Sequence, residues 1–568
     1  MCRWRLARTL VALTLTTVAF GACGTEPAGE TADLVLRGGK IVTLDEARPE
    51  VAALAARSGR IIAIGSDAAV EGLIGAETEV IDLEGRLAIP GFIEGHGHYM
   101  GIGQAQLQLD LMDVANWDEV VGMVAAAVAE SEPGKLITGR GWHQEEWDRS
   151  PEPNVDGLPV HHSLSAVSPD NPVLLTHASG HATYANARAM ELAGVTAATA
   201  DPEGGEIVRD AEGNPIGAFR ETAADLLGPA RRGASGADPR RVALLAQAET
   251  FSKGITSFQD AGSVFSTIDL WKEMIDDGSL KIRLYSMIRA GNESLASNLA
   301  GYRVIGYGDR RLTVRAIKVT IDGALGSHGA WLLEPYDDMP SSTGLNTTPV
   351  ESVRETARLA MEHDYQLNVH AIGDRANRET LDVFEEAYLA RGDGDYRWRI
   401  EHAQHLHPDD IPRFGQLGVI ASMQGVHATS DGPWVERRLG ARRSEEGAYV
   451  WREIMNHEGV VMNGTDAPVE DVDPIASYYS TVSRRMADGR VFYGDQRLSR
   501  VEALETYTKN AAYGAFEEDL KGTLSVGKFA DVTVLSQDIL TVDEELITAS
   551  EVVYTIVGGE IVYRAVGH

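Results

Sequence analysis

From residue 254 to residue 468, apolar strand-like runs alternate with helical patterns: GITSFQDAG (254–262), KIRLYSMIR (281–289), LTVRAIKVTIDG (312–323), YQLNVHAIGD (365–374), WRIEHAQH (398–405), VIASMQGVH (419–427) and GVVMNGTDAP (459–468). Helical segments such as ESVRETARLAMEH fall between several of them. Alternating β and α predicts a parallel sheet, because parallel neighbours must be joined by a crossover. With the apolar run at 87–93 the count reaches eight, the number that closes a (β/α)8 barrel. The predicted fold class is therefore α/β, a TIM-like barrel over residues 90–519. The gap between the first and second strands is too long for one βα unit. Residues from about 132 to 222, rich in Gly, Pro, Trp and His, read as an insertion after strand 1.

The two ends have another rhythm. Residues 33–89 contain short alternating runs separated by Gly-containing turns, and 520–568 do the same in DVTVLS and EVVYTIVGGEIVYR. Neither end has enough strands to close on itself. Together they are predicted to build one small β-sandwich domain.

The first residues differ again. Arg3, Arg5 and Arg8 precede an apolar run from Leu10 to Phe20, followed by Gly21-Ala22-Cys23. This is the layout of a secretory signal (1–22), too short to remain as a membrane span. Small residues before Cys23 resemble a bacterial lipobox, with Phe20 where Leu is usual. The expectation is an exported cell-envelope lipoprotein, anchored at Cys23 through a tether (23–32), whose only membrane contact is the lipid. The other reading is an ordinary cleaved signal and a secreted or periplasmic protein.

Charge and cysteine usage narrow the chemistry. Against 51 Lys+Arg stand 84 Asp+Glu, a net charge of −33, which argues against nucleic acid as a partner. Cys2 and Cys23 are the only cysteines. A catalytic metal would have to use His, carboxylate or Lys-derived ligands.

Candidates for such ligands stand at strand ends. The run at 87–93 leads into His96-Gly97-His98, and residues i and i+2 of a strand face the same side. Composition alone makes a His-x-His triplet unsurprising, and His405-Leu406-His407 is a second, in a loop-like context. Position carries more weight. His370 and His402 come late in their runs, Asp466 ends the last, and Lys318 lies within the fourth. The C-terminal ends of barrel strands are where barrel enzymes keep their chemistry. Singly, each residue could be structural; jointly that reading is poor.

PGFIEGHGH, DGALGSHGA, HAIGDRAN, RIEHAQH and GKFAD (527–531) resemble the amidohydrolase superfamily. More narrowly they resemble its amidohydrolase 3, or YtcJ-like, branch of exoenzyme-type metal-dependent hydrolases. The likeness runs from about residue 33 to 565. It implies that His96, His98 and Asp466 bind one divalent metal and that His370 and His402 bind a second. Lys318, carboxylated on its amine, would bridge the two. The cofactor implied is one or two ions, Zn2+ expected. Thr465 stands where the family has Ser. The activity implied is hydrolysis of a non-peptide C–N bond in an amide-like small molecule through metal-activated water, with Asp466 as the catalytic proton carrier. The alternatives are a deaminase of the same superfamily and a non-catalytic ligand-binding lipoprotein. Trp142, His143 and His181 of the insertion, with Trp147, His177 and Tyr184, could roof the mouth. His427 and Trp434 could line another wall; for the aromatics, ordinary packing is the competing reading. The partner expected is a small-molecule substrate, and assembly as a homo-oligomer is left open.

Overall fold

Eight parallel strands follow one another in sequence order around a single sheet. They are β1 (Phe92–Gly97), β2 (Ile255–Ser263), β3 (Arg283–Ile288), β4 (Leu312–Thr320), β5 (Gln366–Ala371), β6 (Arg399–His402), β7 (Ile420–Gln424) and β8 (Val460–Gly464). The structure, a computed structural model, describes residues 31–232 and 237–566. β3, β5, β6 and β7 are buried along their whole length, as strands with helices outside them must be. The helix Val350–Glu362 shows why the intervening segments fold. It buries Val353, Thr356, Ala357, Leu359 and Ala360, one stripe at helical spacing, and leaves its charges outside.

The ring closes where β1 meets β8. The amide of Asp466 donates to His96 O, and that of His98 to Ala467 O, each at 2.7 Å. Two glycines permit this approach. A Cβ on Gly95 would run into the carbonyl of Asn463, and one on Gly464 would lie 2.5 Å from His96 N. The glycines of the GHGH segment therefore serve the seam and the core. At Gly97 a Cβ would meet the Phe258 ring at 2.6 Å, so this glycine makes room for packing rather than for a ligand.

The 87–93 run is not one barrel strand. It divides at Gly91, where a Cβ would collide with the Thr256 side chain. Leu87–Pro90 belongs to a six-stranded sheet, between Lys40–Val42 and Val532–Leu535; only Phe92 onward enters the barrel. That sheet interleaves both chain ends, continuing through Val552–Val557 to Glu560–Arg564. A four-stranded sheet from the N-terminal end alone lies beside it, and Leu36, Leu54 and Ile81 share one apolar cluster with Ala88, Val532 and Ile556.

The insertion is larger than the sequence suggests. Its six-stranded mixed sheet begins at Leu109–Asp110, which pairs in parallel with Ile137–Trp142, and the helix Trp117–Ala129 lies between them. A two-residue strand leaves no periodicity to read. Among the described residues no helix is long and apolar enough to cross a membrane. The signal, Cys23 and most of the tether lie outside the described residues.

Candidate metal centre

His96 ends the inward face of β1, and Glu94, two residues earlier, lies on the same buried side. Period-2 alternation would place His402 with Ile400, on the face opposite Glu401. A left-handed backbone at His402 (φ 76°) breaks that alternation and brings the imidazole to the mouth. Asp466 is left-handed as well (φ 57°), just past β8. Side chains other than Gly adopt this conformation at a cost that surrounding structure must cover, and such residues cluster at functional sites.

All six sequence-predicted ligands come together. One ligand atom each from His96, His402 and Asp466 lies within 4.8 Å of the other two. Asp466 Oδ1 is 3.4 Å from His96 Nε2 and 3.2 Å from His98 Nε2. Lys318 Nζ is 3.5 Å from His96 Nε2. The His370 ring is centred 4.4 Å from that of His402, which is 4.8 Å from that of His96. The grouping differs from the pairing the resemblance implies, since His402 sits with His96 and Asp466 as well as with His370.

These residues fit a cation. His370 Nε2 and Asp466 Oδ1 are buried without a hydrogen-bond partner, a costly arrangement for ligand-type atoms unless something else satisfies them. Burial holds the pKa of both His370 and His402 well below the ordinary imidazole value, so both are in the neutral, ligating form. Nitrogen and carboxylate donors together suit Zn2+ or a similar borderline ion. Burial lowers Lys318 to about 8, against the pull of Glu401 and Asp466.

A second layer fixes the rings. His96 Nδ1 is bound to Glu401 Oε2, and Glu401 Oε1 accepts from Arg399 Nε at 2.7 Å; Arg399 in turn reaches Gln259. His402 Nδ1 donates to Gln424 Oε1 at 2.7 Å. Each contact holds Nδ1 and frees Nε2 for the centre. Asp322 Oδ1 stands 3.5 Å from His370 Nε2, and its carboxylate accepts the amides of Trp331, Ile372 and Gly373 at 2.8–3.0 Å. Burial raises Asp322 to about 7. Thr465 keeps its hydroxyl in use, accepting from Ala467 N at 3.2 Å.

The HAIGDRAN motif works from behind. Asn377 donates to the carbonyls of Ala371, Gly373 and His405, pinning the turn that follows His370. His405 itself packs edge-on against Tyr449, and His407 caps a turn by accepting from Asp409 N, so this second triplet is structural.

Two cavities open on the centre, one of about 230 Å³ and one of about 610 Å³, and both touch His181, His402 and Asp466. His143, His427 and Trp434 line the smaller one. His181 is held through Nδ1 by Glu221 at 2.7 Å, and Gly323 and Gly329 of the DGALGSHGA loop leave space for that carboxylate.

Trp142 is a correction. It lies in the insertion's own core, with no exposed surface, and its Nε1 donates to Leu175 O at 3.0 Å. Trp147 packs in the same cluster, Tyr184 buries its hydroxyl against the carbonyls of Pro159 and Ile216, and His177 bridges Ser179 and Gln144. Folding the insertion requires a core, and these rings supply it. Sequence reasoning missed Glu401, Arg399, Gln424, Asp322 and Glu221. The first two were accessible, since Arg399 and Glu401 stand two apart before His402.

A family model for amidohydrolases, the amidohydrolase 3 group, matches residues 79–563. The chain belongs to the amidohydrolase family. LONG AFTER FAR-RED 3 of Arabidopsis thaliana is 35% identical over 553 residues, 95% of this chain and 93% of its own. An N-substituted formamide deformylase of Arthrobacter pascens is 26% identical over 94% of this chain and 99% of its own. Among solved structures, an uncharacterised metal-dependent hydrolase of Pyrococcus horikoshii covers 90% of this chain and 99% of its own, at 25% identity and a TM-score of 0.71. This amidohydrolase thus shares its fold with a metal-dependent hydrolase.

Proposed function

We propose that this amidohydrolase hydrolyses a non-peptide C–N bond in an amide-like small molecule. The observation that carries the reading is the convergence of four imidazoles, Lys318 and Asp466 at the barrel mouth, with His370 Nε2 and Asp466 Oδ1 buried and without a hydrogen bond. His96, His98, His370, His402 and Asp466, with Lys318 as a carbamate, would hold one or two divalent ions. Such an ion supplies Lewis acidity, acidifying water and polarising a carbonyl. Asp466 takes the proton of the attacking water and returns it to the leaving nitrogen, work of about 10²–10⁴ in rate. Glu401 and Gln424 keep the rings of His96 and His402 from turning. His143, His181 and His427 face the substrate space and orient the carbonyl. The deformylase relative acts on an N-substituted formamide, a bond of this class.

Purified protein is expected to carry one to two equivalents of zinc or a similar ion, and chelation should abolish amide hydrolysis. Elemental analysis without metal, together with turnover indifferent to chelators, overturns the reading. Release of ammonia from ring amines with amides untouched would replace it by a deaminase.

We further propose export and lipid anchoring at Cys23. Expressed in a bacterial host, the protein should fractionate with membranes and take up labelled fatty acid. The Cys23→Ser variant should lose both properties; a variant still labelled and membrane-bound refutes the anchor.

A further inference from the structure

The larger cavity beside the centre is lined by three guanidinium groups from three separate elements. Arg140 comes from the strand Ile137–Trp142, Arg231 from the helix Gly228–Arg232, and Arg289 from just past β3. Among the described residues no carboxylate lies within the 4.0 Å of an ion pair from any of them. Their protein contacts are few. Arg140 donates to Pro468 O at 3.0 Å and Ala178 O at 2.8 Å; among the described residues Arg231 and Arg289 reach the hydroxyls of Thr183 and Thr320, each at 3.4 Å. An arginine has five N–H donors, so most are left unused.

The three sit on the wall of one cavity that also reaches the candidate metal ligands. The chain carries a net charge of −33, yet among the described residues these three cations have no carboxylate within ion-pair distance. Arg140 is half-buried, and burial brings its guanidinium down to about 10, while Arg231 and Arg289 keep exposed surface at the edge of the cavity. Of the acids on the same wall, Glu221 is committed to His181, Asp225 acts on Arg231 and Arg289, and Asp466 acts on Arg140, the last two from beyond ion-pair distance. Lys318, His370 and Asp466 also line this cavity, so a ligand seated among the arginines extends directly to the centre.

We propose that this cavity is an anion subsite and that the substrate is an amide bearing a carboxylate, of the N-acyl amino acid class. The planar fork of arginine matches a carboxylate with two parallel hydrogen bonds. The carboxylate would sit among Arg140, Arg231 and Arg289 while the C–N bond lies over the metal-ligand cluster. The proposal rests on the C–N hydrolase reading for the reaction but not for the binding.

The test uses matched pairs: N-formyl and N-acetyl amino acids as free acids, and the same compounds as neutral primary amides. Binding to the metal-loaded protein is measured by calorimetry, and turnover is measured separately. The acids should bind about 30-fold or more tightly than their amides, as charge-assisted pairing implies. Arg231→Gln, whose site is apart from the metal-ligand cluster, should cut the acid-to-amide ratio about tenfold or more, and Arg289→Gln likewise, with metal content unchanged in both. Equal binding of acid and amide, no binding of either, or a ratio untouched by both variants overturns the subsite. Loss of metal in step with loss of the preference also overturns it, because the arginines would then act through Lys318. If the acids bind as expected but no pair is hydrolysed, the subsite stands and the C–N hydrolase reading fails for these amides.

Discussion

Lys318→Ala is expected to lose metal and at least about a hundredfold in turnover, more than loss of an outer-layer partner usually costs, and Lys318→Arg is not expected to restore either. The side chain is almost fully buried, with Nζ 3.5 Å from His96 Nε2. An ammonium there would face both the cost of burial and repulsion from divalent ions. Carboxylation would remove both: the neutral amine would add to carbon dioxide, forming the new N–C bond and losing one proton, and an anionic oxygen pair would replace a cation. Guanidinium stays protonated and cannot follow this route. Short carboxylic acids should partly restore the alanine variant by occupying the vacated space. Metal equivalents per chain and kcat are the measurements. Full metal and full turnover in Lys318→Arg would make Lys318 structural.

The second large effect is expected at Glu401, which has no exposed surface and joins His96 Nδ1 to the equally buried Arg399. Burial alone would raise its pKa, but Arg399 and His96 overcome that and hold the carboxylate well below the ordinary range. Glu401→Gln keeps the shape and removes the charge. Two losses should follow together. Metal affinity should drop about 10–100-fold as His96 loses the partner that fixes its tautomer. Stability should fall by about 3–5 kcal/mol as Arg399 becomes an uncompensated buried cation. A competition titration for zinc and a denaturant melt read these separately. An unchanged zinc affinity would show that the carboxylate serves the fold alone.

How much of this was legible in the sequence follows from period and length. Long apolar runs with helical segments between them revealed the barrel, because alternation at that scale has few other solutions. The run at 87–93 misled, since two strands in different sheets are separated only by Gly91, and hydropathy does not register a change of sheet. Strand-end position found His370, His402 and Asp466, but not how His402 faces inward. That depends on a left-handed turn at His402 and Ala403, which nothing in RIEH announces. Trp142 was misplaced for a different reason. In a Gly-rich insertion, a ring that roofs a cavity and a ring that fills a core look alike. The arginine wall was invisible, because Arg140, Arg231 and Arg289 meet only through the fold.

The barrel seam has a consequence for how the molecule is made. Thr465 donates to Glu94 across 371 positions of chain, and His96 and Asp466 are bonded through their backbones at the same join. The centre therefore has no partial form: a nascent chain that has not yet released β8 lacks both the closing strand and a principal ligand. Contacts of such long sequence separation form late, after the greatest loss of chain entropy. Metal capture by this set would then be an event of completion, coupled to the last step of folding rather than to early collapse. A chain truncated before residue 460 should retain helix but neither bind zinc tightly nor unfold cooperatively, and zinc supplied during refolding should accelerate only the final phase.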